Sequence, residues 1–193
     1  MSVNNIMQQA LAKQWLALPG TLKAHYNDKA NTDIGMLTIE YPVWMQLFLN
    51  VLHMMGALLN RKGNQIQASV VKEMKGNVQH WSRTITFDDG KKVYFKSHWT
   101  YAGNNKLIEY VNPVLGLCMS VEVMDNVLHY HGEYYVIKLG KLMLRVPEWL
   151  LLGHTTIEEK EVDSGHFMMD FRLQHPLFGQ IYRYSGKFTT VVN

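Results

Sequence analysis

The chain is poor in cysteine. Cys118 is the only one among 193 residues, so the sequence has none of the disulfide framework on which small secreted domains are built. Charge is thin as well: Asp, Glu, Lys and Arg make up 18%, the net charge is +3, and no run of five basic residues occurs. A nucleic-acid surface collects phosphates with a basic stripe, so nucleic acid is not an expected partner. The sequence also has no G-x-G-x-x-G, no G-x-S-x-G, no H-E-x-x-H, no phosphate loop and no C-x-x-C. The first residues, MSVNNIMQQALAKQW, lack the basic start, apolar core and small-residue cleavage site of a signal peptide, and the expected location is cytoplasmic.

Long apolar runs are scarce too. The membrane candidate is Tyr41 to Asn60, YPVWMQLFLNVLHMMGALLN, which carries no formal charge. Its polar residues Gln46, Asn50, His53 and Asn60 fall on one side of a helix, and a lipid-facing span does not normally keep such a stripe. The expectation is a long, mostly buried helix with no transmembrane segment, opened by Pro42 where a missing N–H costs least.

What is present is alternation. A helical stripe over Ile6–Leu18 ends at Pro19-Gly20, and Thr21 is placed to cap a short second helix over Leu22–Tyr26. Gly35–Tyr41 reads as a first strand. From about Asn64 the apolar period is two: Ile66, Ala68 and Val70; then Trp81, Arg83, Ile85 and Phe87; then Val93, Phe95, Ser97, Trp99 and Tyr101. Turn residues interrupt at Asp88-Asp89-Gly90, Gly103-Asn104-Asn105 and Asp125-Asn126. His175-Pro176-Leu177-Phe178-Gly179 reads as another hairpin connection, and Pro147–Leu152 as a helical turn covering one end. No long helical pattern breaks the series, which argues against a βαβ fold. The expected fold is mainly β, one domain over residues 1–193. It is a curved antiparallel meander or barrel of about nine to ten strands, with the early helices covering or plugging it.

Two constellations stand out. Arg83 shares a strand face with Trp81, Ile85 and Phe87, and Glu109 lies between Leu107 and Val111 on its own inward series. A charge among inward aromatics must be answered, so Trp81, Arg83, Trp99 and Glu109 are expected to line an interior. Arg83 there pairs with Glu109, with an acidic ligand, or with both in turn. The second is His129, His131 and Glu133. At i, i+2 and i+4 of a strand they point one way, a first-row metal set if they converge, although Gly132 can break the alternation with a bulge. Cys118, inside an apolar run, reads as a small core residue, and the twelve methionines suggest an adaptable apolar lining.

The C-terminal stretch GHFMMDFRLQHPLFGQIYRYSGKF runs as an apolar strand, then His-Pro-x-x-Gly, then a strand ending Tyr-x-Gly-x-Phe. With LPGTLKAHY, WSRTITF, LIEYVNPVLGLCMSV and VPEWLLLG in order before it, it resembles the bacterial domain of unknown function 4166 family over nearly the whole chain. One departure is Asn112-Pro113, where the family usually reads Gly-Pro. Members occur alone or fused behind a module similar to saccharopine-dehydrogenase-like reductases, so the resemblance implies a reductase as a partner. It implies no activity and no particular cofactor. The leading expectation is a non-catalytic domain that binds an apolar or amphipathic, acidic or neutral, small molecule inside a curved sheet. The alternatives are an enzyme or reductase accessory, metal-dependent through His129, His131 and Glu133, and a protein-interaction module.

Overall fold

The computed structural model describes residues 5–192. Eleven strands form one antiparallel sheet: β1 (Asn31–Glu40), β2 (Gly63–Lys75), β3 (Val78–Thr86), β4 (Lys92–Gly103), β5 (Lys106–Tyr110), β6 (Leu115–Met124), β7 (Val127–Leu139), β8 (Leu142–Pro147), β9 (His154–Asp163), β10 (His166–His175) and β11 (Gly179–Val192). The order β6-β5-β4-β3-β2-β1-β11-β10-β9-β7, with β6 also paired to β7, closes ten strands into a barrel and leaves β8 outside as the hairpin partner of β7. Closure removes open edges. The meander reading therefore holds. What alternation did not supply is which strands close the ring: β1 pairs with both β2 and β11, and β9 pairs with β7 rather than with β8.

The tight turns at Gly76, Gly103-Asn104, Asp125-Asn126 and Asp163–Gly165 gather at one end of the barrel. Asp125 and Asn126 both take positive φ there, the backbone of a two-residue hairpin. Helices α1 (Ile6–Leu11) and α2 (Gly20–His25) plug this end. Asn5 caps α1 by accepting from the Gln8 N–H at 2.6 Å. The expected helix through Leu18 stops at Leu11. Ala12 adopts φ +48, a 3-10 turn over Ala12–Ala17 follows, and Gln14 reaches out to accept from the Val123 N–H. Thr21 does not cap α2: Pro19 holds that position, and the Thr21 hydroxyl donates to Glu161.

The other end differs most from expectation. The stretch 41–60 is no long helix. A 3-10 turn over Val43–Met45 leads into α3 (Gln46–Met54), and the rest is turn and loop. The polar stripe ends it: Gln46 Nε2 donates to the Asn60 carbonyl and to Asn50 Oδ1, Asn60 Nδ2 also reaches Asn50 Oδ1, and His53 Nδ1 meets the Leu58 carbonyl. These bonds fold the chain back where another turn of helix would run. The helix is not mostly buried either: Met45, Leu49 and Leu52 face the barrel, while Val43, Trp44, Leu47, Val51 and Met54 are exposed. No helix among the described residues is long and apolar enough to cross a membrane.

β7 separates from β9 after the pair His131–Thr156. Helix α4 (Glu148–Leu151) lies across the fork, with Glu148 buried. Glu148 Oε2 accepts from the Thr155 N–H at 2.8 Å, and Oε1 lies 3.1 Å from His154 Nδ1. Gly132 makes room for this carboxylate; a Cβ there would fall inside it.

Candidate functional site

The inward stripes border two adjoining compartments that share part of their walls. The outer one, a cavity of about 110 Å³, lies under α3 and the loop that follows, with Leu52, Leu58, Leu117, Tyr135, Leu152 and Phe171 in its wall. The inner one, about 60 Å³, lies toward the plugged end against Trp81, Trp99, Ile157 and Phe167. Arg83, Glu109, Leu37, Ile85 and Tyr184 line both. The expected adaptable methionine wall is not what forms: aliphatic and aromatic side chains do, with Met169 the methionine among them.

The four residues expected to share an interior are together. Trp81 and Trp99 stack with ring centroids 4.8 Å apart. Arg83 Nη2 donates to Glu109 Oε1 at 3.0 Å and Nη1 to Ser97 Oγ at 2.7 Å, while the guanidinium lies 5.0 Å from the Trp81 ring centre and 5.3 Å from that of Phe95. The facing follows from register: β3, β4 and β5 are consecutive antiparallel neighbours, with Arg83 opposite Phe95 and Trp99 opposite Glu109. The indole N–H groups of Trp81 and Trp99 are buried without an acceptor in hydrogen-bond range, although both residues line the inner compartment.

His129, His131 and Glu133 are not brought together. The β6–β7 register slips between Cys118 and Met119, which pair with Tyr134 and Gly132, so Glu133 is the extra residue of a bulge. Glu133 pairs with Lys106 Nζ at 2.5 Å, His131 with Glu122 at 3.1 Å, and the two imidazole centroids stand 6.3 Å apart. Among the described residues no three His, Cys, Asp or Glu side chains gather as a metal site. Cys118 is fully buried, and burial raises its thiol pKa.

A polar cluster at the plugged end escaped the sequence reading. Lys72, 1% exposed, puts its ammonium 2.7 Å from Asp33 Oδ2, 2.8 Å from His25 Nδ1 and 2.5 Å from the His25 carbonyl at the end of α2. His25 Nδ1 also lies 2.8 Å from Asp33 Oδ2, so it accepts from Lys72 or donates to Asp33 according to its tautomer. Asp33 further accepts from Thr190. Beside it, Tyr26 donates to Glu159 Oε2 at 2.5 Å and meets the Tyr130 hydroxyl. Burial raises Asp33, but His25 and Lys72 outweigh it and hold its carboxyl at about 2. Burial drags Lys72 down to about 8 despite Asp33. It also raises Glu159 above the usual carboxylate value, against the pull of His25. The signal was present: Lys72 continues the inward series Ile66, Ala68, Val70, and Glu159 continues Thr155, Ile157. His25, Asp33 and Glu159 line the inner compartment, and His25 Nε2 has no hydrogen-bond partner, its nearest carboxylate oxygen being Glu159 Oε1 at 3.8 Å. An imidazole oriented at one nitrogen and bare at the other can carry a proton to or from a bound molecule.

Asn112 braces the rim of the outer compartment next to Val111. Its Oδ1 accepts from the Val114 and Leu115 N–H groups and its Nδ2 donates to the Met55 carbonyl at 2.7 Å, tying the loop after α3 to the β5–β6 turn.

A search of curated proteins finds no match. The family model described as Domain of unknown function (DUF4166) matches residues 18–188, from the residue before the Pro19-Gly20 break through β1 and into the closing strand β11, and the chain belongs to that family.

Proposed function

We propose that the barrel binds an amphipathic small molecule, its polar end at Arg83, Glu109 and Ser97 and its apolar part in the outer compartment. The observation that carries this reading is the accessibility of the ion pair. Arg83 and Glu109 sit on inward faces, yet their side chains keep exposures of 15% and 16%. A purely structural interior pair is normally sealed, because water around it weakens the attraction it was buried to gain. Here a fixed polar group faces a largely apolar chamber, the usual makeup of a small-molecule site. A dry cavity of about 150 Å³ accepts benzene in another protein, so a ring or short chain suits the outer compartment and a longer chain requires the loop after α3 to move. An acidic head takes over part of the Arg83 fork from Glu109; a neutral hydroxyl bridges the pair as it stands.

The test is displacement of the fluorophore anilinonaphthalene sulfonate by matched series of short-chain acids and alcohols. Wild type is expected to bind both series, Leu117→Trp to bind neither, and Arg83→Met to lose acids more than alcohols. Unchanged binding to a folded Leu117→Trp variant overturns the proposal. Native mass spectrometry of freshly purified protein adds the identity of any molecule carried along.

The bare His25 Nε2 favours a second reading, in which the inner compartment moves a proton on the bound molecule. Deuterium uptake at an acidic C–H of the ligand in D2O, lost in His25→Gln, is its signature. A ligand recovered without deuterium rules it out.

A further inference from the structure

The open end of the barrel carries an apolar face that the interior does not explain. On α3 and the turn before it, Leu47 is 78% and Met54 87% exposed, and Val43, Trp44, Phe48 and Val51 stand out with them. Helix α4 adds Trp149, Leu150 and Leu151, and the β10–β11 hairpin adds Leu177 and Phe178. These segments are contiguous. The Trp44 and Phe178 rings are 5.3 Å apart, and Gly153, just past α4, lies so close to the Gln174–His175 backbone that a Cβ there would overlap it. The face surrounds the mouth of the outer compartment, to which α3 gives Leu52 and the residue after α4 gives Leu152. A soluble monomer rarely leaves so many large apolar side chains side by side, and a patch of this kind marks an interaction surface.

Charge selects the partner. Residues 43–60 contain no charged side chain, and the groups around them are mainly basic: Lys62, Lys91, Lys92 and Lys141 at strand ends and Arg145 on β8, all exposed. Of the acids at this end, Asp89 is held by Arg61 at 2.9 Å, Glu40 by Arg183 at 3.3 Å, and Glu148 is buried, which leaves Asp88. A second copy of this chain meeting the face about a twofold axis would bring the same basic groups against each other. A bilayer bearing anionic headgroups answers both parts: Trp, Phe and Leu side chains enter the boundary between headgroups and acyl chains, and lysines and arginines at the rim meet the phosphates.

We infer that α3, α4 and the β10–β11 hairpin dock the barrel, mouth down, on an anionic lipid surface. The inference stands on the exposed face and its rim and does not require the cavity to be occupied. The geometry joins the two, since a molecule partitioned in the bilayer would meet the outer compartment directly.

Flotation with phospholipid vesicles tests it, using phosphatidylcholine alone and phosphatidylcholine mixed with phosphatidylserine. The full chain is expected to float with the mixed vesicles, less with the neutral ones, and less again at high salt. Leu47→Glu combined with Val51→Glu should cut the bound fraction about tenfold or more, since two side chains that would enter the lipid become charged. Both positions are exposed, so an unchanged circular dichroism spectrum and urea midpoint verify that the variant folds. Wild type left at the bottom of the gradient overturns the inference, and so does a double variant that floats as well as wild type. Light scattering that shows a vesicle-independent dimer, split by the two glutamates, assigns the face to a second copy and overturns it too. The double variant keeps every cavity residue, so it retains fluorophore binding in vesicle-free buffer. Loss of that binding through Leu117→Trp with flotation intact separates the two proposals.

Discussion

Arg83 donates to Glu109 across 3.0 Å at the level where the outer and inner compartments meet, and each side chain is about five-sixths buried. Neither group is replaceable alone. Arg83→Met leaves a carboxylate facing an apolar chamber with part of its hydration gone. The expected loss is about 1–3 kcal/mol, below the cost of breaking a sealed pair because some water reaches this one. Glu109→Leu in the same chain removes the orphaned charge and should recover most of that loss. Urea denaturation of the two single variants and the double variant measures the coupling. Additive losses would mean that the two groups do not act as a pair.

The contrast with Lys72 shows what alternation reveals and what it hides. Arg83 was legible because it interrupts a stripe of Trp, Ile and Phe, with apolar residues on both sides of it. Lys72 also lies between inward apolar residues, Val70 and Met74, but close to the turn at Gly76, where a solvated lysine is the ordinary occupant. Its burial depends on α2 lying over that end of the barrel, a contact between segments 47 residues apart in sequence that no local period records. The pairings that close the expected barrel were hidden for a similar reason. The β3–β6 meander is dictated by turns such as Asp88–Gly90, whereas the pairing of β1 with β11 and of β7 with β9 depends on the curvature of the whole sheet. The face of α3 was misread because an apolar run signals burial only when the fold supplies something to cover it.

The plugged end gives the protein a defined alkaline response. Lys72 loses its proton near 8 in the folded chain and near 10.5 when unfolded. Between those values the unfolded state holds more protons, so this residue makes stability rise with pH from about 8. Tyr26 and Tyr130 oppose it from about 10 upward: burial raises both above their ordinary 10.0, the unfolded tyrosines ionise first, and stability then falls. Urea midpoints measured across this range should rise and then fall, and Lys72→Met should abolish the rise. A rise of equal size in that variant would contradict the assignment to Lys72.

Glu159 acts in the opposite direction on the acid side. Its folded pKa is raised from 4.5 by burial, so from about that pH upward the folded state holds more protons than the unfolded one, and stability falls until the folded carboxyl ionises. Glutamine copies the protonated acid and still accepts from Tyr26. Glu159→Gln is therefore expected to remove this fall and to match or exceed wild-type stability near neutral pH. Thermal unfolding at a series of pH values decides it, and a variant that keeps the fall would place its origin in another group.

Gly132 and Glu148 make a test of the fork between β7 and β9. A Cβ at residue 132 would overlap the Glu148 carboxylate and crowd Thr155 Cβ, so Gly132→Ala must expel the anchor of α4. Glu148→Ala removes the same anchor from the other side, leaving the buried Thr155 N–H without its acceptor. Each should cost about 1–3 kcal/mol, the range for an unsatisfied buried group. Because the severest overlap of the alanine at 132 goes with the carboxylate and only the contact with Thr155 Cβ at 2.8 Å remains, the double variant should lose less than the sum of the two single ones. Leu152 follows α4 into the outer compartment, so both changes should also weaken fluorophore binding there. Full additivity in urea denaturation, with binding untouched, would mean that α4 is held by other contacts and that the fork does not shape the cavity.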